Sequence, residues 1–419
     1  MFSRHTTPRP RRRGLLPAAL APSALAPSAL IPAALTAAAL LAGPSLTQAP
    51  HSMALGAQEV DARWSSAGPA GHAPMGVMGD HTHHAGEWMA SYMFSRMTMS
   101  GLRNGRTSLS VDQVWETYPM VPLEMTMDMH MPHLMYAPSD RVTLMVMGMW
   151  MDHRMDVRMA NDLMAGHGHG HGGHGHGQMG QMDDGHGDHG DHGGDGGHGD
   201  HGDHGGFHTH EHGVSGWADT EVSALVTVFD RNRQRIHLNL GVGIPTGSTT
   251  ATDDRMVPEH SRLGYPMQLG SGSWEARPGV TWLGQTDRLS LGAQGMGVVR
   301  VNENSEGWRR GAEGALNGWA MLRGHRWAAP GVRLEGRTRG SVSGSDAVMD
   351  PAVSPENDPA LQGGQVLNGF LALNLQVPGG RPLAGHRLNL EWGGPLLQSL
   401  DGPQMGTDWT LNVGWEYAF

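Results

Sequence analysis

The chain has 419 residues, of which 63 are Gly, 16% are charged and none is Cys, so disulfides and thiolate metal ligands are excluded. Hydrophobic residues make up only 38% and the mean hydropathy is −0.38, which disfavours a large dry core. The formal charge of −11, with no basic stripe beyond the extreme N-terminus, disfavours nucleic-acid binding. A transmembrane β-barrel is compatible with this composition, because only alternate residues of each strand face lipid.

The first fifty residues have the layout of a secretory signal. Several Arg lie within residues 1–14, an Ala- and Leu-rich stretch covers 15–43, and small residues follow it. This pattern predicts a signal peptide over residues 1–49. The alternative is a transmembrane anchor, but Pro recurs every five residues from Pro17 to Pro32, and regularly spaced Pro disfavours a spanning helix.

The C-terminal segment has the strongest strand pattern. Apolar residues alternate with polar or small ones from Trp409 to Phe419, so one face suits lipid and the other suits water. The same alternation recurs upstream and predicts an all-β fold, an antiparallel up-and-down transmembrane β-barrel over residues 86–419 with about twelve strands. We place the strands at 86–98, 123–135, 140–151, 218–230, 234–244, 276–284, 288–300, 312–323, 327–338, 365–377, 385–393 and 407–419.

The connections between these strands support a barrel of the bacterial outer membrane. Short and long connections alternate along the chain, as in barrels that have short periplasmic turns and long external loops. With both termini in the periplasm, residues 50–85 form a periplasmic Met- and His-rich segment. Every long connection then falls outside, including a His-, Gly- and Asp-rich insertion over residues 164–213. The expected partners are outer-membrane lipid and, through the C-terminal strand, the barrel-assembly machinery.

Several motifs resemble one family of outer-membrane proteins. They are GIPTGS at 243–248, YPMQLGSG at 265–272, LQGG at 361–364 and WEYAF at 415–419. Together they resemble the outer-membrane transporter family that is grouped with the meta-pathway of phenol degradation. GVMGDH at 76–81 and the Met-rich run at 125–131 resemble a Met- and His-rich branch of it. The resemblance implies a barrel that passes small molecules.

Histidine is concentrated in the insertion, where 14 of the 27 His lie between His167 and His212, interleaved with Gly and Asp. Imidazoles and carboxylates on a flexible chain can bind Cu(II), Zn(II) or Ni(II) without a preformed site. The alternative is a solvated low-complexity spacer. The candidate ligands in and beside the insertion are His153, His167, His169, His171, His174, His176, His186, His189, His192, His198, His201, His204, His208, His210 and His212.

A second group of candidate ligands precedes the first predicted strand. Seven of the thirteen residues from 72 to 84 could bind a metal, namely His72, Met75, Met78, Asp80, His81, His83 and His84. On an extended chain His81 and His83 can approach one ion, with Asp80 or His84 completing its shell. The alternative is a mobile polar segment. The mixture of His and Met favours copper over zinc or nickel.

Methionine is unusually frequent, with 29 residues, many of them two apart. On one strand the alternation predicts a lumen-facing set of Met145, Met147 and Met149. On 123–131 we expect the four Met to face lipid and a lumen-facing set that includes Glu124, Asp128 and His130. Thioethers are soft ligands suited to Cu(I), but Met is equally a flexible apolar filler.

Three functions are open at this point. The leading hypothesis is an outer-membrane transporter or channel that binds transition-metal ions, copper first, for metal homeostasis or resistance. The alternatives are a channel for small hydrophobic or aromatic compounds and a surface protein that sequesters metal. No cofactor is required, although copper, or alternatively zinc or nickel, could be bound. No Ser and His pair has a recognisable catalytic setting, so we do not expect an enzyme.

Overall fold

The computed structural model describes residues 63–161, 207–253 and 261–419. The predicted signal peptide and most of the predicted His-rich insertion lie outside these residues. Within them, no helix has the length and apolarity needed to cross a membrane. β-Strands dominate, and one short helix, α1 (Val111–Trp115), is capped by Ser110.

The described residues form eighteen strands. They are β1 (Trp88–Gly105), β2 (Thr107–Leu109), β3 (Met120–Ser139), β4 (Val142–Met147), β5 (Trp150–Ala160), β6 (Phe207–Trp217), β7 (Thr220–Arg231), β8 (Gln234–Ile244), β9 (Thr252–Asp253), β10 (Ser261–Arg262), β11 (Glu275–Gln285), β12 (Leu289–Arg300), β13 (Trp308–Arg309), β14 (Glu313–Leu322), β15 (Ala328–Arg339), β16 (Ser343–Gly344), β17 (Gly364–Gln376) and β18 (Arg387–Ala418).

Eleven of these strands close a ring. Its order is β1, β3, β4, β7, β8, β11, β12, β14, β15, β17 and β18, and β18 pairs with β1 to complete the circle. Every pair in the ring is antiparallel. The predicted all-β antiparallel barrel is therefore confirmed.

Within the ring, the strand count differs from the prediction at one place. We predicted two strands, 385–393 and 407–419, joined by a loop, whereas the structure has the single 32-residue β18. Its first arm, residues 387–400, pairs with β17, and its second arm pairs with β1. The side chain of Gln398 bonds to the backbone of Thr407, so the arms lie side by side. Twelve predicted strands thus correspond to eleven strand elements.

The connections divide between the two ends of the ring. At the lower end, where β1 begins and β18 ends, adjacent strands are joined by short turns. The turn from β7 to β8 needs only Asn232 and Arg233, both with positive φ as in the tight hairpin turns that match strand twist. The long connections lie at the upper end, which is the alternation that the sequence predicts.

The ring has apolar side chains on its outer surface and polar side chains on part of its inner surface. On β8, Leu238 and Leu240 are 37% and 53% exposed, whereas His237 and Asn239 beside them are 0% and 3% exposed. Such an arrangement is the reverse of a soluble fold. It leaves an apolar outer surface that lipid covers favourably, and polar side chains in the lumen on this strand.

Aromatic pairs mark both edges of this apolar surface. Trp88 and Tyr136 pack near the lower end with ring centroids 4.5 Å apart. Trp150 and Trp217 pack edge to face higher on the wall, with centroids 5.6 Å apart. Membrane barrels carry aromatic girdles of this kind at the two interfaces of the bilayer.

The predicted faces of residues 123–131 are wrong. On β3, Met125 and Met131 are 0% and 7% exposed, and their cross-strand partners on β1 also face the lumen. The residues that point outward instead are Glu124, Asp128 and His130. The physical reason is the position of these residues along the strand. Asp128, which binds Arg96, lies nearer the upper end of the ring than the row of Trp150. Above the apolar belt an outward charge meets water rather than lipid.

The wall is taller on one side of the ring. β5 and β6 pair with each other from the Trp150 and Trp217 row to the Ala160 and Phe207 row. The last part of the predicted insertion is therefore strand rather than loop, and it carries His208, His210 and His212. In β6 the three His alternate with Thr209 and Glu211, which is the period of two that a paired strand requires.

Side chains also cover the upper end of the lumen. The upper cluster packs residues of β3 and β5 against the connections that follow β8 and β16. Met125, Met155, Leu263 and Met267 are at most 2% exposed within it. The lumen therefore has an apolar cover at this end.

Candidate functional site in the barrel lumen

The segment that precedes β1 lies inside the ring. We call residues 64–84 the inner segment. Its backbone is held from several sides: Gly76 N–H donates to Glu391 Oε2 at 2.8 Å, and Gln294 Nε2 donates to the Met78 carbonyl at 2.8 Å. His83 N–H donates to an inward-facing hydroxyl on β4 at 2.9 Å. Because β4, β12 and β18 lie far apart around the ring, the inner segment fills the lumen near its lower end.

Three candidate ligands of the inner segment come together. One donor atom each from His72, Asp80 and His81 lies within 4.8 Å of the other two. The His72 and His81 rings are 4.0 Å apart between centroids, and His81 Nδ1 is 2.6 Å from Asp80 Oδ1. The other Asp80 oxygen accepts a hydrogen bond from Ala73 N–H at 2.8 Å, which fixes the carboxylate. We call these three residues the inner cluster.

Burial sets the charge of these groups. It lowers the pKa of His72 well below its ordinary value, with a further contribution from Arg387, and it lowers the pKa of His83 to about 3. Burial raises the pKa of Asp80, but His81 and His72 together lower it by more, so that this pKa falls to about 2. The imidazoles of His72 and His83 are thus neutral, and the carboxylate of Asp80 is ionised. Neutral imidazole and ionised carboxylate are the forms that bind metal.

Several buried polar atoms at the inner cluster have no hydrogen-bond partner among the described residues. They include Nε2 of both His72 and His81, and Oε2 of Glu416. Glu416 Oε2 lies 3.1 Å from His72 Nδ1 but without hydrogen-bond geometry. A buried polar group without a partner costs about 1–3 kcal/mol. The cluster therefore has the polar atoms of a binding site.

Methionines of β1, β3, β4 and β5 cover one side of the lumen, which we call the methionine wall. They form cross-strand rows, because paired residues on one face lie opposite each other. One row joins Met89, Met135 and Met145, and another joins Met99, Met125 and Met155. Met145 and Met147 are 5% and 7% exposed, as predicted. The Met of β3 thus share the lumen face with those of β1, β4 and β5.

The methionine wall forms a continuous apolar path. Met127 packs against both the upper cluster and a second cluster that contains Met151. Met129 and Met149 connect that second cluster to a third, in which Met75 of the inner segment takes part. The path therefore runs from the upper cover of the lumen to the inner segment.

The opposite side of the lumen is charged. On β15 and β18, Arg333 Nε donates to Glu391 Oε1 at 2.6 Å. On β11 and β12, Glu275 binds both Arg277 and Arg300. Between the two sides lies a cavity of about 180 Å³ above the inner segment, lined by both methionines and charged residues. A solute there would meet an apolar side and a polar side.

The structure separates the remaining candidates. His83 lies beside the inner cluster, with its ring 4.8 Å from that of His81, whereas the His84 side chain is 69% exposed next to Asp140. His153 on β5 is buried, and neither ring nitrogen has a described partner. His210 and His212 come together with Asp253 near the upper end. The candidates of the insertion from His167 to His204 lie outside the described residues.

Some lumen residues were not predicted from the sequence. His133 lies in the methionine wall, where Ser91 Oγ is 3.1 Å from its Nδ1, and its Nε2 has no described partner. Glu416 lies beside His72, although the two residues are 344 positions apart in the chain. Strand parity puts His133 on the same face as Met131, and because we expected Met131 to face lipid, the wrong assignment of that face also hid His133. Nothing local in the sequence connects Glu416 with His72.

Comparisons with solved structures found several at low sequence identity, of which three are described. An outer membrane channel from Pseudomonas putida F1 is 11% identical, with a TM-score of 0.49, over 82% of this chain and 99% of that chain. A FadL homologue from Pseudomonas aeruginosa is 9% identical, with a TM-score of 0.34, over 79% and 89%. The transport unit of the autotransporter AIDA-I from Escherichia coli is 7% identical, with a TM-score of 0.39, over 82% and 93%.

No family model matches the chain, and no curated protein matches it. The resemblance to the transporter family grouped with phenol degradation therefore stays a prediction, as does its Met- and His-rich branch. The likeness to the solved structures assigns no substrate.

Proposed function

We propose that this chain is an outer-membrane channel that passes small hydrophobic compounds along the methionine wall. The observation that carries the proposal is the continuous apolar path between the upper cluster and the inner segment. Met side chains are unbranched and flexible, so such a path adapts to solutes of different shape. The apolar outer surface and its aromatic edges support insertion in a membrane.

In this proposal the described structure is a closed state. The inner segment fills the lower lumen, and the upper cluster covers the other end. A solute that enters the cavity between them rests against Met145 and Met147 on one side. Passage then requires displacement of the inner segment, whose polar contacts to the wall are the barrier.

A second cargo, Cu(I), is favoured by a separate observation. His133 and His153 lie among the thioethers of the methionine wall, and each has a buried ring nitrogen without a described partner. Thioether and imidazole ligands together suit soft Cu(I). The same wall could therefore offer successive copper sites, as the leading sequence hypothesis expected.

Flux through the purified barrel in liposomes tests both cargoes. A triple Met→Leu variant at Met127, Met129 and Met151 keeps an apolar surface but removes three thioethers, whereas Met→Gln at the same positions makes it polar. We expect phenol flux to survive the Leu variant and to fall roughly tenfold in the Gln variant, because the solute then displaces polar groups. Phenol flux equal to that of empty liposomes, with and without the inner segment, would contradict the proposal.

The copper alternative predicts the opposite result for the Leu variant. Cu(I) flux should fall in both triple variants, since Leu offers no ligand atom. Cu(I) flux that survives the Leu change would remove the methionine wall as a copper path.

A further inference from the structure

We propose that the inner segment carries a site for a divalent transition-metal ion, with His72, Asp80 and His81 as ligands and Glu416 of β18 as a fourth. This inference does not rest on the cargo of the channel. All four residues are at most 9% exposed, so a bound ion would be enclosed by protein. The proposal concerns a resident site, distinct from any path along the methionine wall.

The geometry needs only small adjustment to hold an ion. The donor atoms of the inner cluster already lie within 4.8 Å of one another, and ligands at about 2.0–2.1 Å from a tetrahedral zinc ion lie somewhat closer than this. Rotation of the two imidazoles would bring them into place. Asp80 is fixed by Ala73 N–H, so it would serve as the rigid member of the set.

The unpartnered atoms supply the second observation. His72 Nε2 and His81 Nε2 are buried without a described partner, and so is Oε2 of Glu416. Buried polar atoms of native proteins are normally paired, and an unpaired set in one place calls for a ligand. A single cation would engage two imidazole nitrogens and two carboxylates at once. Ordered water is the alternative occupant, and the experiment distinguishes the two.

The ligand chemistry selects the class of metal. Imidazole and carboxylate suit Zn(II), Cu(II) and Ni(II), whereas a site for Cu(I) would use thioethers. Among these ions the general order of stability predicts tighter binding of Cu(II) than of Zn(II).

A bound ion would hold the inner segment in place. His72 and His81 are nine positions apart, so coordination closes a loop within the inner segment. Glu416 belongs to the wall, so its coordination ties that loop to β18. Because the ion binds only the assembled site, its binding free energy adds to the free energy that keeps the segment inside the ring.

The first test counts tightly held metal in the full chain. The protein is loaded with Zn(II) or Cu(II), dialysed against a competing chelator, and analysed for metal per chain. The background for every variant lacks residues 164–206 and carries His208→Gln, His210→Gln and His212→Gln, which removes the ligands of the insertion and the group formed by His210, His212 and Asp253. We expect one ion in the unmodified chain and none in His81→Gln or His72→Gln. His237→Gln is the matched control, because His237 is equally buried and contacts the inner segment through the Gly79 carbonyl, yet lies outside the cluster.

The second test measures hydrogen exchange of the inner segment. Metal should slow exchange across residues 72–84 in the unmodified chain and in His237→Gln, but not in His81→Gln. Circular dichroism confirms that each variant keeps its β-structure. Absence of retained metal in the unmodified chain would overturn the site, and so would equal retention by all variants, which means an adventitious ion only. Retained metal without slower exchange would overturn its role in holding the segment.

Discussion

Position 76 of the inner segment lies so close to the barrel wall that only glycine fits there. A Cβ at this position would lie 2.3 Å from Arg333 Nη2 and 2.6 Å from Glu391 Oε2. Both atoms belong to a buried ion pair that is also bonded to neighbouring side chains. The pair cannot withdraw without losing those bonds, so its geometry fixes the residue type at position 76.

Gly76→Ala should therefore loosen the inner segment. Overpacking of this kind costs about 1–3 kcal/mol, so hydrogen exchange across residues 64–84 should accelerate by roughly one to two orders of magnitude. Gly318→Ala on β14 is the control, because an added Cβ there meets open space. Equal exchange in both variants would show that the ion pair yields to the methyl group.

A buried carboxyl in an upper connection makes stability depend on pH. Burial raises the pKa of Glu356 from 4.5 to about 8. A carboxyl whose pKa is higher in the folded state holds its proton there while the unfolded state releases it. Stability is thus fully present below pH 4.5 and is lost as pH rises towards 8, at about 1.4 kcal/mol per pH unit.

Glu356→Gln should remove most of this dependence. The variant and the unmodified chain should have similar unfolding midpoints near pH 4.5, and the variant should be the more stable at pH 8, since a neutral amide needs no proton. Denaturant unfolding at several pH values measures the difference. A constant difference across the range would mean that Glu356 is already ionised in the folded chain.

At the scale of strands, the last residue of the chain completes the ring. Phe419 N–H donates to the Trp88 carbonyl at 2.8 Å, and Trp88 N–H donates to the Phe419 carbonyl at 2.9 Å. The Phe419 ring also stacks on Tyr417, with centroids 5.6 Å apart. The apolar terminus predicted as a closing strand is thus paired by its backbone.

Deletion of Phe419 should weaken the junction of β1 and β18. Two backbone hydrogen bonds are worth about 1–3 kcal/mol together, so the free energy of unfolding should fall by roughly that amount. Phe419→Leu keeps both bonds and serves as the control. If the two variants lose the same stability, the side chain rather than the backbone pairing is responsible.

The strand pattern was predictable where lipid meets one face. Residues 234–244 were predicted as a strand, and β8 has those same bounds, because Leu238 and Leu240 must alternate with His237 and Asn239. The prediction failed on residues 123–131, where the outward side chains lie above the apolar belt. There the difference between lipid and lumen, on which the pattern depends, no longer applies.

The candidate site was predictable only in part. The ligand types of His72, Asp80 and His81 stand out in the sequence, and the structure brings these three together. Their burial inside the ring does not stand out, because an irregular segment has no periodicity that reports its surroundings. Glu416 entered the site through the closure of the barrel, which no local pattern encodes.

At the scale of the whole molecule, the inner segment should control permeability. Deletion of residues 65–84 removes the hydrogen bonds to Glu391, Gln294 and Asn374 and leaves the lower lumen open. We expect faster flux of small solutes through the deletion variant in liposomes. Unchanged flux, with the barrel shown to be folded, would identify the upper cluster as the barrier instead.

The order of the elements along the chain has a consequence for assembly. The inner segment precedes every strand of the described residues, and the second arm of β18, which closes the ring against β1, comes last. The polar side chains that grip the segment therefore come from strands made after it, up to the final one. The barrel can therefore assemble around the inner segment. The inner segment then has no need to enter the lumen after the ring has closed.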